Sequence, residues 1–310
     1  MIFLGESDFS KKDINQGIVL TLGVFDGVHI GHREIFNLLK SLAIELDSKS
    51  LVITLSPDPE EVLYPDKRST VISPLDYKVE ILSQLDLDYS MVLKADKELL
   101  EYSPREFFDK FIWERFHPKA IVAGEDFRFG SNREADIDAL RKLSGEYKFS
   151  LHIAPFLNYK GEKVSSSRIR EALSRGEIED TSYMLSQLPR FSGRVVPGEG
   201  RGRKLGFPTA NIITDYVFDL KKGVYTGWAL IKSKRLPALL YVGTAPTFGG
   251  KFLRFEIYIP KFRGYLYGKK MAFEIQNFLR EERLFLNKED IQKQLEIDRE
   301  CLMEEFSREV

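Results

Sequence analysis

The sequence predicts two domains in series: an α/β domain on a parallel sheet, then an antiparallel β-barrel or sandwich closed by a terminal helix. Three observations carry this. A length of 310 residues with 43% hydrophobic content allows a sizeable core in each of two domains. From Ile18 to Phe156 short β-rich runs alternate with helical patterns, as right-handed βαβ units require. From Phe191 onward strands follow one another without intervening helices. The boundary is expected near Gln187, dividing 1–186 from 187–310.

Taken in order, the first half reads as a strand IVLTLGVF from Ile18, a helix HREIFNLLKSLAIEL from His32, and a strand LVITL from Leu51. A helix around Tyr77–Leu85, the strand SMVL, a helix from Ser103, and the strands AIVAG and LHIAP complete it. In such a sheet, ligands belong at the carboxyl ends of the strands. After Ser167 the pattern is helical through Leu188. The strands FSGRVV, VYTGWALI, ALLYVGT, FLRFEIYI and KKMAFEIQNFL follow, then a polar amphipathic helix at Lys288–Glu305.

Composition narrows the function. With 46 Lys and Arg against 47 Asp and Glu, the formal charge of −1 gives no reason to expect nucleic acid or an anionic membrane as partner. No run of about 18 apolar residues occurs and the start lacks an export signal, so the cytoplasm is expected. The single cysteine, Cys301, excludes an intrachain disulfide and reads as a packing residue of the last helix. Self-association cannot be read from the sequence.

Two stretches of the first half suggest an anion site. Gly23-Val-Phe-Asp-Gly-Val-His-Ile-Gly-His32 follows the first strong strand and opens the first helix, where backbone amides and the helix dipole favour phosphate. His29 and His32, three apart, share a face and can donate to phosphate oxygens that gain charge in reaction. The spacing fits neither the dinucleotide-binding glycine pattern nor the Walker loop. A glycine turn whose histidines only cap the helix is the plainer alternative. Val164-Ser-Ser-Ser-Arg-Ile-Arg170 supplies three hydroxyls with Arg168 and Arg170 at a later helix start. Capping explains one serine; the cationic first turn, opposed to the helix dipole, calls for an anion.

The second half holds Gly193-Arg-Val-Val-Pro-Gly-Glu-Gly-Arg-Gly-Arg-Lys-Leu-Gly-Phe-Pro-Thr-Ala-Asn211 between two strands. Its glycines allow amides near phosphate oxygens, unless the segment is simply a flexible basic loop. Thr209 and Asn211 alternate with Ala210, so on a strand both project to one side and offer neutral oxygens to a hard cation. Glu256 in Phe255-Glu-Ile-Tyr258 alternates with apolar residues; by pattern alone it could be only a solvent-facing carboxylate.

The first two stretches resemble the HxGH nucleotidyltransferase superfamily, with its signatures G-x-F-D-x-x-H-x-G-H and I-S-S-T-x-I-R. Val164 and Ser167 are conservative changes in the second. The Asp26-Gly27 variant and Gly124-Glu-Asp-Phe-Arg-Phe-Gly130 resemble the FMN adenylyltransferase branch, although the latter could be a turn with two core phenylalanines. The resemblance implies a Rossmann-like domain in which FMN phosphate attacks the α-phosphorus of ATP and pyrophosphate leaves. His29, His32 and Arg170 would be catalytic, and Gly23, Phe25, Asp26, Gly31, Gly124, Asp126, Ser165, Ser166 and Ser167 would bind nucleotide or flavin.

The later segment resembles the riboflavin kinase signature G-R-x-L-G-F-P-T-A-N, the most specific motif in the chain. That implies a β-barrel kinase making FMN from riboflavin and ATP, with Glu256 as base and Thr209 and Asn211 on Mg²⁺. Gly198, Gly200, Arg203, Lys204, Gly206 and Pro208 would cradle the nucleotide. Gly243-Thr-Ala-Pro-Thr-Phe248, Leu266-Tyr-Gly268, Leu279-Arg-Glu-Glu-Arg-Leu-Phe285 and Asp298 match further landmarks, with Arg280 and Glu282 implied at the flavin or its phosphate. Departures from the family patterns are Asp58 for His in Pro57-Asp58-Pro59, Ala135 for Gly, Tyr241 for Asn, and Pro260-Lys261 for Leu-Asp. The whole implies a bifunctional enzyme with ATP, riboflavin, FMN and FAD as its small-molecule substrates and products. A flavin-sensing protein without turnover would be expected to lack the polar phosphate-handling residues present here.

Overall fold

The computed structural model describes residues 2–4, 17–65, 70–244 and 253–307. By contacts the chain forms two units, one of 1–69 with 73–165 and the other of 70–72 with 166–310. The expected Ala245–Phe248 turn lies outside the described residues.

The first unit is a parallel sheet of β1 (Ile2–Leu4), β2 (Ile18–Gly23), β3 (Lys49–Ser56), β4 (Tyr89–Lys94), β5 (Ala120–Gly124) and β6 (Ser150–Ala154). Their order is β1-β4-β3-β2-β5-β6. The strands read as continuous apolar runs because both faces are covered. Ile18, Leu20 and Leu22 enter one cluster with Phe108, Phe116 and Leu140. Val19 and Val52 enter another with Phe36 and Leu39 of α1 (Ile30–Glu45) and Ile81 of α2 (Leu75–Ser83). Chain order reverses between β2 and β5, so the ligand crevice of such a sheet falls at their carboxyl ends. Those ends are Gly23 and Gly124, where two of the motifs begin.

The helix expected from Ser103 is broken into a turn Pro104–Phe107 opened by a Ser103–Glu106 capping box, a π-helical stretch Phe108–Trp113, and a last turn Glu114–Phe116. The longer α3 (Ile137–Tyr147) leads to β6, and a small hairpin of β7 (Asn158–Tyr159) with β8 (Glu162–Lys163) comes next.

The second unit starts with α4 (Ser166–Arg175) and α5 (Ile178–Leu185). Then come β9 (Arg190–Val196), β10 (Thr209–Ile213), β11 (Gly223–Ile231), β12 (Lys234–Thr244), β13 (Leu253–Tyr258) and β14 (Lys270–Arg280), and finally α6 (Lys288–Phe306). The strands close into a barrel in the order β10-β13-β12-β11-β14-β9, which decides between barrel and sandwich. Phe191 meets Phe218, Phe255 and Phe273 with ring centroids 4.7–6.1 Å apart, filling the interior. The outer side of β11 and β12 is apolar too: Val224, Trp228 and Leu239 bury Leu302 and Phe306 of α6. Thr70–Ile72 joins this unit through a parallel bridge from Thr70 to Val217.

Candidate active sites

The turn from β2 into α1 carries left-handed backbone at Phe25 (φ 51°), Gly27 (81°) and Val28 (45°). At a phenylalanine and a β-branched valine this costs on the order of 1–3 kcal/mol each, so the surroundings must hold the turn in place. Ser73 does part of this. Its N–H donates to Asp26 Oδ1 at 2.9 Å and its hydroxyl accepts the Gly27 N–H at 2.8 Å. Asp26, expected to meet ligand, is buried against this clamp.

His29 Nδ1 accepts the His32 N–H at 3.3 Å and so caps α1. A neutral ring accepting at Nδ1 carries its proton on Nε2, which leaves a donor. The two imidazoles stack with centroids 3.5 Å apart, and Phe25 meets His32 edge-on at 5.2 Å. Burial pushes His29 down to about 4, against the pull of Asp26 and Asp126. Burial, aided by His29 and Lys78, holds His32 well below the usual imidazole range. Both rings are therefore neutral near pH 7, and His32 Nδ1 has no partner among the described residues.

Lys78 of α2 lies under the same turn. Its Nζ donates to the Val24 carbonyl at 2.6 Å and to Thr54 Oγ1 at 3.4 Å, while Thr54 Oγ1 donates to the same carbonyl at 3.0 Å. Sequence reading missed both Lys78 and Ser73.

At the end of β5, Phe129 is buried and Phe127 stacks on it at 5.6 Å, so both aromatics of the Gly124–Gly130 segment serve the core. Asp126 reaches outward to Lys163 at 2.7 Å. Ser165 groups by contacts with the first unit, whereas Ser166, Ser167 and Arg170 belong to α4 in the second. Within the second unit, Arg170 Nε donates to the Thr70 carbonyl at 2.7 Å.

In the barrel, register sets the second site. Asn211 on β10 is the Cα partner of Glu256 on β13, which in turn is the partner of Tyr241 on β12. Cross-strand partners share a face. Tyr241 packs with the cluster beneath α6, so Glu256 and Asn211 lie on the barrel's outer side. Thr209 Oγ1 donates to Glu256 Oε2 at 2.8 Å. Arg254, two residues earlier on the same face, pairs with the other carboxylate oxygen. This arginine was also missed, although its i, i+2 spacing from Glu256 could have revealed it.

Before β10, Gly198 lets the Asn211 side chain approach: a Cβ there would sit 2.1 Å from Asn211 Nδ2. The basic loop contains one helical turn, Arg201–Lys204, with Arg203 and Lys204 exposed. Its end, Gly206, has φ 85°, a conformation glycine adopts without strain. Gly200 precedes the turn and Pro208, exposed, comes after it.

Comparison with known proteins assigns a family to each half of the chain. The FAD synthetase family model matches residues 11–168 and the riboflavin kinase model residues 185–306. A bifunctional riboflavin kinase/FMN adenylyltransferase of Buchnera aphidicola subsp. Acyrthosiphon pisum is 32% identical over 93% of each chain. That of Escherichia coli K12 is 30% identical over 91% of each. The chain belongs to the bifunctional riboflavin kinase/FMN adenylyltransferase family. A solved structure from Streptococcus pneumoniae, described as a macrolide-efflux protein, shares 27% identity and a TM-score of 0.84 over the full length of both chains. Among the described residues of the present chain no helix is long and apolar enough to cross a membrane.

The positions that depart from family patterns have local structural roles. Asp58 caps the short helix Pro59–Leu63 by accepting the Glu60 N–H at 3.0 Å. Ala135 is buried and its backbone bridges to Phe129. The Tyr241 hydroxyl donates to Glu282, and burial together with that bond raises its pKa well above the usual phenol range. Pro260-Lys261 forms a turn in which Lys261 is left-handed, φ 58°. Arg280 is committed within the protein: its Nε and Nη2 grip the two oxygens of Asp298 at 2.8 and 2.7 Å.

Proposed function

We propose that the chain makes FAD in two steps, phosphorylating riboflavin to FMN within 187–310 and adenylylating FMN within 1–186. The FAD synthetase model matches 11–168, inside 1–186, and the riboflavin kinase model matches 185–306, nearly all of it inside 187–310. The observation that carries the kinase reading is the outer-face grouping of Thr209, Asn211 and Glu256 on adjacent strands.

In the kinase half, Glu256 takes the proton of the riboflavin 5′-hydroxyl as that oxygen attacks the γ-phosphorus of ATP, and ADP leaves. Thr209 and Arg254 fix the carboxylate's orientation beforehand. Thr209 and Asn211 would hold Mg²⁺. The donor chemistry fits, because a hydroxyl that gives its proton to Glu256 keeps its lone pairs for a cation and Asn211 adds an amide oxygen. When bound, Mg²⁺ neutralises phosphate charge. Gly198, Gly200, Arg203, Lys204, Gly206 and Pro208 form the loop that would meet the nucleotide, and Glu282 the flavin side.

In the transferase half, an FMN phosphate oxygen attacks the α-phosphorus of ATP and pyrophosphate leaves without a covalent enzyme intermediate. His29, with a proton on Nε2, and neutral His32 donate to oxygens that gain charge. Gly23, Phe25, Gly31, Gly124 and Asp126 shape the crevice at the switch between β2 and β5, with Ser165 as a further donor, and the family resemblance assigns Ser166, Ser167 and Arg170 to the same reaction. Asp26 serves by holding the turn.

The test is one incubation of the protein with riboflavin, ATP and Mg²⁺, resolving FMN, FAD, ADP and pyrophosphate over time. His32→Ala is expected to abolish FAD but not FMN. Glu256→Ala is expected to abolish FMN formation yet leave FAD formation when FMN is supplied. FMN without FAD from the unaltered protein would sink the two-step reading.

A further inference from the structure

We propose that Lys78 is a positioning residue of the transferase half: its ammonium fixes the Val24 carbonyl, and through it the turn that carries His29 and His32. The proposal rests on the reading of those histidines as the phosphate-facing pair.

Lys78 is the one lysine or arginine among the described residues that is buried, with 5% of its surface exposed. Taking an ammonium out of water is costly, so a chain keeps one inside only where the charge or its donors are used. Satisfaction of the backbone does not require it. The Val24 carbonyl already accepts from Thr54 Oγ1 at 3.0 Å, and a hydroxyl is enough for a buried carbonyl. The second donor, at 2.6 Å, is charged and therefore stronger and more directional.

The backbone just beyond Val24 accounts for the second donor. Three of the next four residues are left-handed, a path the chain does not hold unaided. Ser73 grips the turn at Asp26 and Gly27, just before α2, and Lys78 grips it at Val24 from the first turns of α2. One short segment thus clamps the start and the middle of the bend that leads to His29. Burial lowers the Lys78 pKa while the field of Asp26, Asp58 and Glu61 opposes that shift, and His32 lies within the lysine's electrostatic reach. With both rings stacked at 3.5 Å, a displacement of His32 also moves His29.

The test uses the full chain and a double-mutant cycle. Lys78→Met keeps the apolar stem and removes the donor. Its kcat/KM for FAD formation from FMN and ATP is expected to fall on the order of 10²-fold, the usual cost of misplacing groups by about 1 Å. Riboflavin phosphorylation by the same protein should be unchanged. In a Thr54→Val background, which removes the other donor to the Val24 carbonyl, the same substitution should cost more than in the unaltered protein, because Lys78 is then the carbonyl's remaining side-chain hold.

A full rate in Lys78→Met overturns the proposal, as does an equal loss in both backgrounds. No FAD from the unaltered protein overturns the transferase reading itself, so the two failures are distinct. Trp113, alone in a Trp228→Phe background, reports whether the first unit folds. If Lys78→Met unfolds it, Lys78→Gln, which retains a neutral donor, is taken through the same cycle and judged by the same outcomes.

Discussion

Arg280 offers a direct way to separate a ligand contact from an internal strut. Its guanidinium makes two parallel hydrogen bonds to Asp298, whose carboxylate is 2% exposed and takes a third bond from Gln294 Nε2 at 2.9 Å. Arg280 ends β14 and Asp298 sits midway along α6, so the pair ties the terminal helix to the barrel. Arg280→Met leaves a buried carboxylate with one neutral partner. Removing one member of a buried pair costs about 3–5 kcal/mol. At a slope near 2 kcal/mol per molar, the urea midpoint should drop by roughly 2 M. Trp228 is a suitable probe, because its ring meets Phe306 of α6 edge-on at 4.5 Å. With Trp113→Phe as background, its fluorescence follows the second unit alone. Replacing both members, Arg280→Met with Asp298→Leu, should restore most of the stability, since an apolar pair of similar volume removes the desolvated charge. An unchanged midpoint in Arg280→Met together with a raised KM for riboflavin would refute this reasoning. It would mean that the guanidinium serves the substrate and not the helix.

Two further outcomes follow, one from the buried His29 and one from the close approach at Gly198. His29 is neutral in the folded chain down to about 4, whereas the unfolded chain protonates it near 6.5. Its contribution is therefore complete above pH 6.5 and is lost as pH falls toward 4, about 3 kcal/mol in all, so urea midpoints read by Trp113 should fall across that window. His29→Asn should make the dependence shallower, with the remainder carried by His32, which burial also holds well below the usual imidazole range. Gly198→Ala places a Cβ 2.1 Å from Asn211 Nδ2 and must displace that amide. FMN formation should drop on the order of 10²-fold, and FAD formation from supplied FMN should be unaffected, as product analysis would show.

The elements were legible where side-chain period reports burial directly. The doubly covered strands of the first sheet read as unbroken apolar runs, and the barrel strands announced themselves by spacing and by the lack of helices between them. The site residues were legible where a motif is continuous, as from Gly23 to His32 or from Gly193 to Asn211. What stayed hidden depends on partners distant in sequence. Lys78 sits in LDYKVEIL as an ordinary helical lysine, and nothing local says that it turns inward to a carbonyl 54 residues away. Asp26 carries a motif position, yet its partner Ser73 is a loop residue without a signature. Arg280 and Asp298 were both noticed, but only the packing of α6 on the barrel makes each the other's counter-ion. The π-helical stretch Phe108–Trp113 has no sequence mark that local pattern reading could use.

The proposed kinase residues lie on the barrel's exterior. Thr209, Asn211 and Glu256 point away from an interior filled by Phe191, Phe255 and Phe273, so the lumen and the proposed site share a wall but no side chains. Lineages are thus free to exchange those internal aromatics by compensating volume while selection on turnover acts on the other surface of the same strands. Drift in the core and fidelity at the rim become separate strands of one gene's history.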